Sequence, residues 1–128
     1  MSYLLDSHTV VWFLEGDPRL SDKAREIIEA AESELCVSAV SFWELGIKSS
    51  LGKLRLRSHP SEMMQKMVEL EIRILQIEPA HVSGIVVLPF HHKDPFDRLL
   101  IATALAEEFS LISADHHFRL YQELKVVW

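Results

Sequence analysis

At 128 residues, 48% hydrophobic and 25% charged, the chain is long enough to bury one core and too short for two, which predicts a single domain over 1–128. Its formal charge of -6 excludes a protein that coats nucleic acid by bulk attraction, but leaves room for a local basic groove or for an acidic pocket that recruits a divalent cation. No apolar run approaches the roughly 18 residues of a membrane span, and the first residues lack the basic start and cleavage site of a signal peptide, so a cytoplasmic protein with no membrane contact is expected.

Tyr3-Leu4-Leu5 reads as a short buried strand ending at Asp6, and His8 to Leu14 as a helix stopped by Gly16-Asp17-Pro18. Ser21 caps a second helix through Ala31. Leu35 to Ser38 is the next strand, leading directly into a helix from Ala39 to Leu51 that ends at Gly52. The single cysteine, Cys36, lies inside that strand's apolar run and reads as a core residue. Pro60 opens a helix over Ser61 to Leu70, Ile72 to Ile77 is a β-branched third strand, and Ala80 to Leu88 is a short helix before a loop at Pro89. The clearest helix follows. Asp94 can cap it, Pro95 suits its first position, Asp97 sits near the positive end of its dipole, and from Leu99 to Ala106 its apolar stripe is too wide for a surface helix. Leu111-Ile112-Ser113 is a fourth strand leading to Asp115, a small helix lies near Phe118, and Val126-Val127-Trp128 is the last strand. This alternation predicts an α/β fold, a three-layer α/β/α sandwich with a central parallel sheet and right-handed crossovers.

In an open parallel sheet the functional crevice lies outside the carboxyl ends of the strands. Asp6 follows the first strand, Asp115 follows the fourth, Glu44 lies in the opening turns of the helix after the second, and Asp97 in the first turn of the helix that feeds the fourth. Four acids scattered through the chain should therefore share one rim. Carboxylates within about 5 Å repel by roughly 1 to 4 kcal/mol per pair, and no basic residue accompanies each acid. A hard divalent cation, Mg²⁺ or Mn²⁺, is the economical partner, and a phosphate is the substrate that commonly completes such a shell. Each acid also has a structural reading. Glu44 stands three residues after Ser41, the spacing of a capping box, and one turn before Lys48. Asp94 suits a helix cap better than a ligand, Asp97 would complement a dipole, and Asp6 and Asp115 could be turn residues. Ser7 and Ser113, beside strand ends, are placed to hold the carboxylates.

Leu4-Leu5-Asp6-Ser7-His8, Val40-Ser41-Phe42-Trp43-Glu44-Leu45, Asp94-Pro95-Phe96-Asp97-Arg98-Leu99-Leu100-Ile101-Ala102 and Leu111-Ile112-Ser113-Ala114-Asp115 together resemble the PIN-domain ribonucleases, and more narrowly the VapC-type toxins of bacterial toxin-antitoxin pairs. The resemblance runs the length of the chain, and Asp-Pro-Phe-Asp-Arg is its most specific part. It implies that Asp6, Glu44, Asp97 and Asp115 form the family's acidic quartet, with Asp6, Asp97 and Asp115 holding Mg²⁺ or Mn²⁺ and Glu44 serving the attacking water. It further implies RNA as substrate, products with 5′-phosphate and 3′-hydroxyl ends, a small antitoxin partner whose C-terminal segment covers the acids, and a homodimer.

Weaker features surround this site. The stretch with Lys48, Lys53, Arg55 and Arg57 is the most basic and is a candidate path for RNA phosphates, against the default of a solvated loop; Arg98 is a candidate phosphate contact or a local counter-charge. The pairs His91-His92 and His116-His117 match no zinc spacing and read as surface or supporting residues. Met63, Met64 and Met67, with Trp12, Phe13 and Trp43, fit either a core or a groove for a partner helix. Two other enzyme or signalling classes use similar parts. A phosphoacceptor receiver domain would want paired acids after the first strand, where Asp6 is followed by Ser7-His8, and a lysine after the last, where Lys125 precedes it. A haloacid-dehalogenase-like phosphatase would want an acid where His8 stands. A noncatalytic RNA- or partner-binding PIN fold is the third alternative.

Overall fold

The computed structural model describes residues 1–128. Along the chain it has β1 (Ser2–Leu5), α1 (Ser7–Glu15), α2 (Asp22–Glu29), β2 (Glu34–Ser38), α3 (Ala39–Ser50), α4 (Pro60–Glu69), β3 (Arg73–Leu75), α5 (Pro79–Val87), α6 (Pro95–Glu107), β4 (Ser110–Ile112), a 3₁₀ helix (His116–Leu120) and β5 (Val126–Val127). All five strands are parallel, in the order β3-β2-β1-β4-β5. The chain lays strands outward from β1 to β3, then returns to the other side of β1 for β4. The direction of winding therefore switches between β1 and β4, where a crevice must open at the carboxyl edge. A receiver domain has the order 2-1-3-4-5, so this topology excludes that alternative.

Alternating side chains build a core on each face of the sheet. Tyr3, Leu5, Val37 and Ile112 point to one side, where they meet Val10, Val11, Ala24, Ile28, Phe42, Leu45, Met63 and Met67 from α1 to α4. Leu4, Cys36 and Leu111 point to the other, against Leu100, Ile101 and Ala104 of α6 and Phe118 of the 3₁₀ helix. The three-layer sandwich expected from the sequence is thus the observed fold. Met63 and Met67 are core residues, and Trp12 and Phe13 pack against the same cluster. Trp43 does not belong with them, since it is 64% exposed.

Local differences from the sequence reading have local causes. β3 is three residues long, not six: it pairs with β2 alone at the sheet edge, and Gln76 and Ile77 beyond it are exposed. α3 is capped by Ser38, whose Oγ accepts from the Val40 amide, so the Ser41–Glu44 spacing is not a capping box. α1 ends where Gly16 takes φ 64, a left-handed turn that glycine adopts without strain.

Candidate functional site

Three of the predicted acids are helix caps that face one another. Asp6 begins α1, with Oδ1 accepting from the Thr9 amide at 2.8 Å. Asp94 begins α6, with Oδ1 accepting from the amides of Phe96 at 2.9 Å and Asp97 at 3.4 Å. Asp115 begins the 3₁₀ helix, with Oδ1 accepting from the His117 amide at 2.9 Å. A capping aspartate uses one oxygen on its helix and keeps lone pairs for another partner, so the structural and the functional readings of these residues hold together.

The remaining two acids are delivered by helix faces. Phe42 and Leu45 of α3 bury in the core, which turns Glu44 inward until only 8% of its side chain is exposed; Lys48, one turn later, reaches its Oε2 at 2.6 Å. Asp97 lies in the first turn of α6, 22% exposed. Asp6, Glu44, Asp94, Asp97 and Asp115 together line a cavity of about 140 Å³ with Ser7, His8 and Lys48. Oxygens of Glu44, Asp94 and Asp97 all lie within 4.8 Å of one another. Asp94, expected to act mainly as a cap, is thus part of the tightest acidic group, while Asp6 and Asp115 stand on the same wall outside it.

Like charges this close cost roughly 3 kcal/mol per pair at a surface-like dielectric, and one lysine cannot offset five carboxylates. The strain shows in proton affinity. Burial, and then the charges of Asp94, Glu44, Asp115 and Asp6, push the Asp97 carboxyl up to about 7. Burial also raises Asp6, although hydrogen bonds from Ser113 and Thr9 oppose it. At Asp115 burial is outweighed by the His117 amide and ring, which hold its carboxyl below its ordinary value. These residues suit a hard divalent ion: the donors are all oxygen, those of Glu44, Asp94 and Asp97 converge, and one lysine is the only cation among five carboxylates.

Supporting contacts fix the carboxylates in place. Ser113 Oγ donates to Asp6 Oδ2 and accepts from the Asp115 amide at 3.1 Å, so one hydroxyl ties the ends of β1 and β4 together. Thr9 adds a second tie, its hydroxyl donating to the Ile112 carbonyl at 2.9 Å. Ser7, expected to hold a carboxylate, lines the cavity without a hydrogen bond to one; the Thr9 amide bonds Asp6 in its place.

A PIN-domain family model matches residues 3–124. The chain belongs to the PIN-domain family. It is 33% identical over 125 residues to Ribonuclease VapC22 of Mycobacterium tuberculosis, covering 97% of this chain and 95% of that protein. Among solved structures, VapBC2 from Rickettsia felis bound to a promoter DNA fragment matches with TM-score 0.74 at 16% identity, covering 99% of this chain and 98% of that one. VapBC-1 from nontypeable Haemophilus influenzae matches with TM-score 0.67 at 16% identity, over 99% of this chain and 97% of that one. At these identities the structural matches establish a shared PIN fold.

The PIN-domain site also corrects one sequence-based candidate. Arg98 follows Asp97 in the chain but faces away from the cavity. It is 5% exposed, donates to the carbonyls of Leu88 at 3.1 Å and Pro89 at 2.9 Å, and lies 3.8 Å from the Phe90 ring centroid. The carbonyls leaving a helix need donors, and a five-donor guanidinium supplies them, so Arg98 clamps the end of α5 and is not a phosphate contact. Lys48 lines the cavity, whereas Lys53 and Arg55 are exposed on the loop after α3, outside it. Of the paired histidines, His91 and His116 are exposed, while His117 Nδ1 lies 2.9 Å from Asp115 Oδ1 and His92 stacks on His117 with Nε2 3.5 Å from Asp97 Oδ2. His8, on the cavity wall, had no sequence signal beyond following Asp6-Ser7.

Proposed function

We propose that this PIN domain, acting as one unit over 1–128, is a Mg²⁺- or Mn²⁺-dependent endoribonuclease and the toxin of a toxin-antitoxin pair. The reading rests on one observation: five carboxylates with a single lysine share one cavity at the switch between β1 and β4. Asp6, Asp97 and Asp115 would hold the ion, with Asp94, which belongs with Asp97 to the tight acidic group, as a further oxygen donor. A bound divalent ion supplies charge that makes water a competent nucleophile near neutral pH and offsets charge developing on the phosphoryl oxygens. Glu44, oriented by Lys48, accepts the proton of the attacking water. Oxygen from water bonds to phosphorus, the bond from phosphorus to the 3′-oxygen breaks, and that oxygen takes a proton from solvent. The products carry 5′-phosphate and 3′-hydroxyl ends. Ser113 and Thr9 keep Asp6 in its rotamer throughout.

The R. felis and H. influenzae neighbours are VapBC proteins, and the family resemblance supplies the partner: a small antitoxin whose C-terminal segment covers the acids. For the homodimer, Val82, Val86 and Val87 of α5 are 54%, 81% and 80% exposed, an apolar surface suited to a second copy. Purified protein should cleave single-stranded RNA only with Mg²⁺ or Mn²⁺, and Asp6→Asn or Asp97→Asn should lower cleavage by on the order of a thousandfold. Metal-independent cleavage, or cleavage that survives both substitutions, refutes the assignment.

A further inference from the structure

Trp43 is the residue the catalytic reading leaves unused. It precedes Glu44 on α3, yet its side chain is 64% exposed while Glu44 is buried. Single exposed apolar side chains are common on protein surfaces. Here Phe96, which precedes Asp97 on α6, packs against it edge to face, with ring centroids 5.5 Å apart and planes at 70°. Phe96 and Glu44 also line one narrow crevice between α3 and α6, so Phe96 links Trp43 to the acidic wall. Trp43 and Phe96 each precede a carboxylate of the cavity in the chain, Glu44 and Asp97. The edge-to-face contact fixes the indole and leaves much of it open.

We propose that Trp43, braced by Phe96, is a stacking platform for an unpaired nucleobase beside the scissile phosphate, which makes single-stranded RNA the substrate class. The inference rests on the ribonuclease reading and adds the source of affinity that reading lacks. A chain of net charge -6 whose site is acidic gains little from phosphate attraction. Stacking of a base on an indole is independent of that charge and tolerant of sequence, and it requires the base to be splayed out of a duplex.

The test uses the full chain and a short labelled single-stranded RNA. Trp43 is exposed, so Trp43→Ala should fold as the parent does, checked by thermal melting. With Mn²⁺, Trp43→Ala should raise KM roughly tenfold or more while kcat changes little, and Trp43→Phe should recover most of the loss. An RNA abasic at the nucleotide flanking the cleaved bond should bind the parent equally poorly and show no further loss with Trp43→Ala. Binding read separately by tryptophan fluorescence in EDTA should show quenching that disappears in Trp43→Phe, which tests the platform even if no cleavage occurs. An unchanged KM, or a full Trp43→Ala effect on RNAs abasic at either flanking position, overturns the platform while leaving the nuclease reading intact. A shift of Trp43→Ala to a smaller sedimenting species with unchanged RNA quenching would assign the pair to subunit contact instead. Absence of metal-dependent cleavage by the parent, with quenching preserved, would overturn the nuclease reading alone.

Discussion

Asp97 and Arg98 are neighbours in the chain and opposite in circumstance. Arg98 belongs to the seam between α5 and α6, where every buried polar group has its complement. Its guanidinium meets carbonyls from the end of α5, and His81, 2% exposed, accepts the Glu78 amide at Nδ1, leaving Nε2 to donate to Glu107 Oε1 at 2.9 Å. Asp97 belongs to the rim, where burial gathers like charges and supplies one lysine among them. A buried group that is paired contributes to the fold; a buried group surrounded by its own sign costs stability and marks the place where a ligand is required.

The contrast breaks most visibly at the rim. Asp97→Asn and Asp6→Asn should each lower kcat/KM for metal-dependent RNA cleavage by on the order of a thousandfold, measured on a labelled RNA, with little loss of thermal stability. At the seam the pattern should invert. Arg98→Leu leaves the carbonyls of residues 88 and 89 without donors and should cost about 2 to 4 kcal/mol in urea denaturation, whereas the fraction that remains folded should cleave RNA within a few-fold of the parent. A stable Arg98→Leu protein that had lost cleavage would return Arg98 to the RNA path and erase the distinction.

The sequence made the rim more legible than the seam, for a physical reason. Asp6, Asp94, Asp97 and Asp115 stand at ends of elements, and ends are marked by caps, prolines and changes of hydrophobic period that can be read locally. The alternation of strands with helices likewise carried the sandwich, whose two cores take Leu5 and Leu4 on opposite faces of the sheet. The direction of Arg98, the bond from His81 to Glu107 and the contact of Trp43 with Phe96 depend on how α3, α5 and α6 cross, which no local pattern encodes. Asp94 joined the acidic group for the same reason: its cap role was readable, its distance from Glu44 was not.

Proton linkage gives an effect of intermediate size at the rim. The Asp97 carboxyl is raised from 3.8 to about 7, first by burial and then by Asp94, Glu44, Asp115 and Asp6. Between those two values the folded chain holds a proton that the unfolded chain has released, so this group's contribution makes the metal-free protein less stable as pH rises through the window, with the loss complete above about 7. Allowing for the solvent exposure of the side chain, the effect should be roughly 1 to 3 kcal/mol. Melting curves in EDTA should show Asp97→Asn gaining on the parent between about pH 5 and pH 8, and Mn²⁺ should stabilise the parent more at the higher pH because it no longer competes with the proton. A pH-independent difference between the two proteins would mean that Asp97 is already compensated without metal.

The smallest effect belongs to the loop after α3, which resembles neither region. Lys53 and Arg55 are exposed, pair with no acid and stand outside the cavity. If they track the RNA backbone, each contributes by counterion release, and single-stranded RNA binding loses about 0.7 in the slope of log K against log salt for each phosphate contact removed. The double substitution Lys53→Ala, Arg55→Ala should then flatten that slope by about 1.4 and weaken binding severalfold at low salt, while kcat and thermal stability stay near the parent values. Equal slopes for parent and variant would make the loop a solvated surface, and the affinity for RNA would then have to come from Lys48 and from stacking at Trp43. The acidic cavity would then be binding its polyanion with almost no help from fixed positive charge.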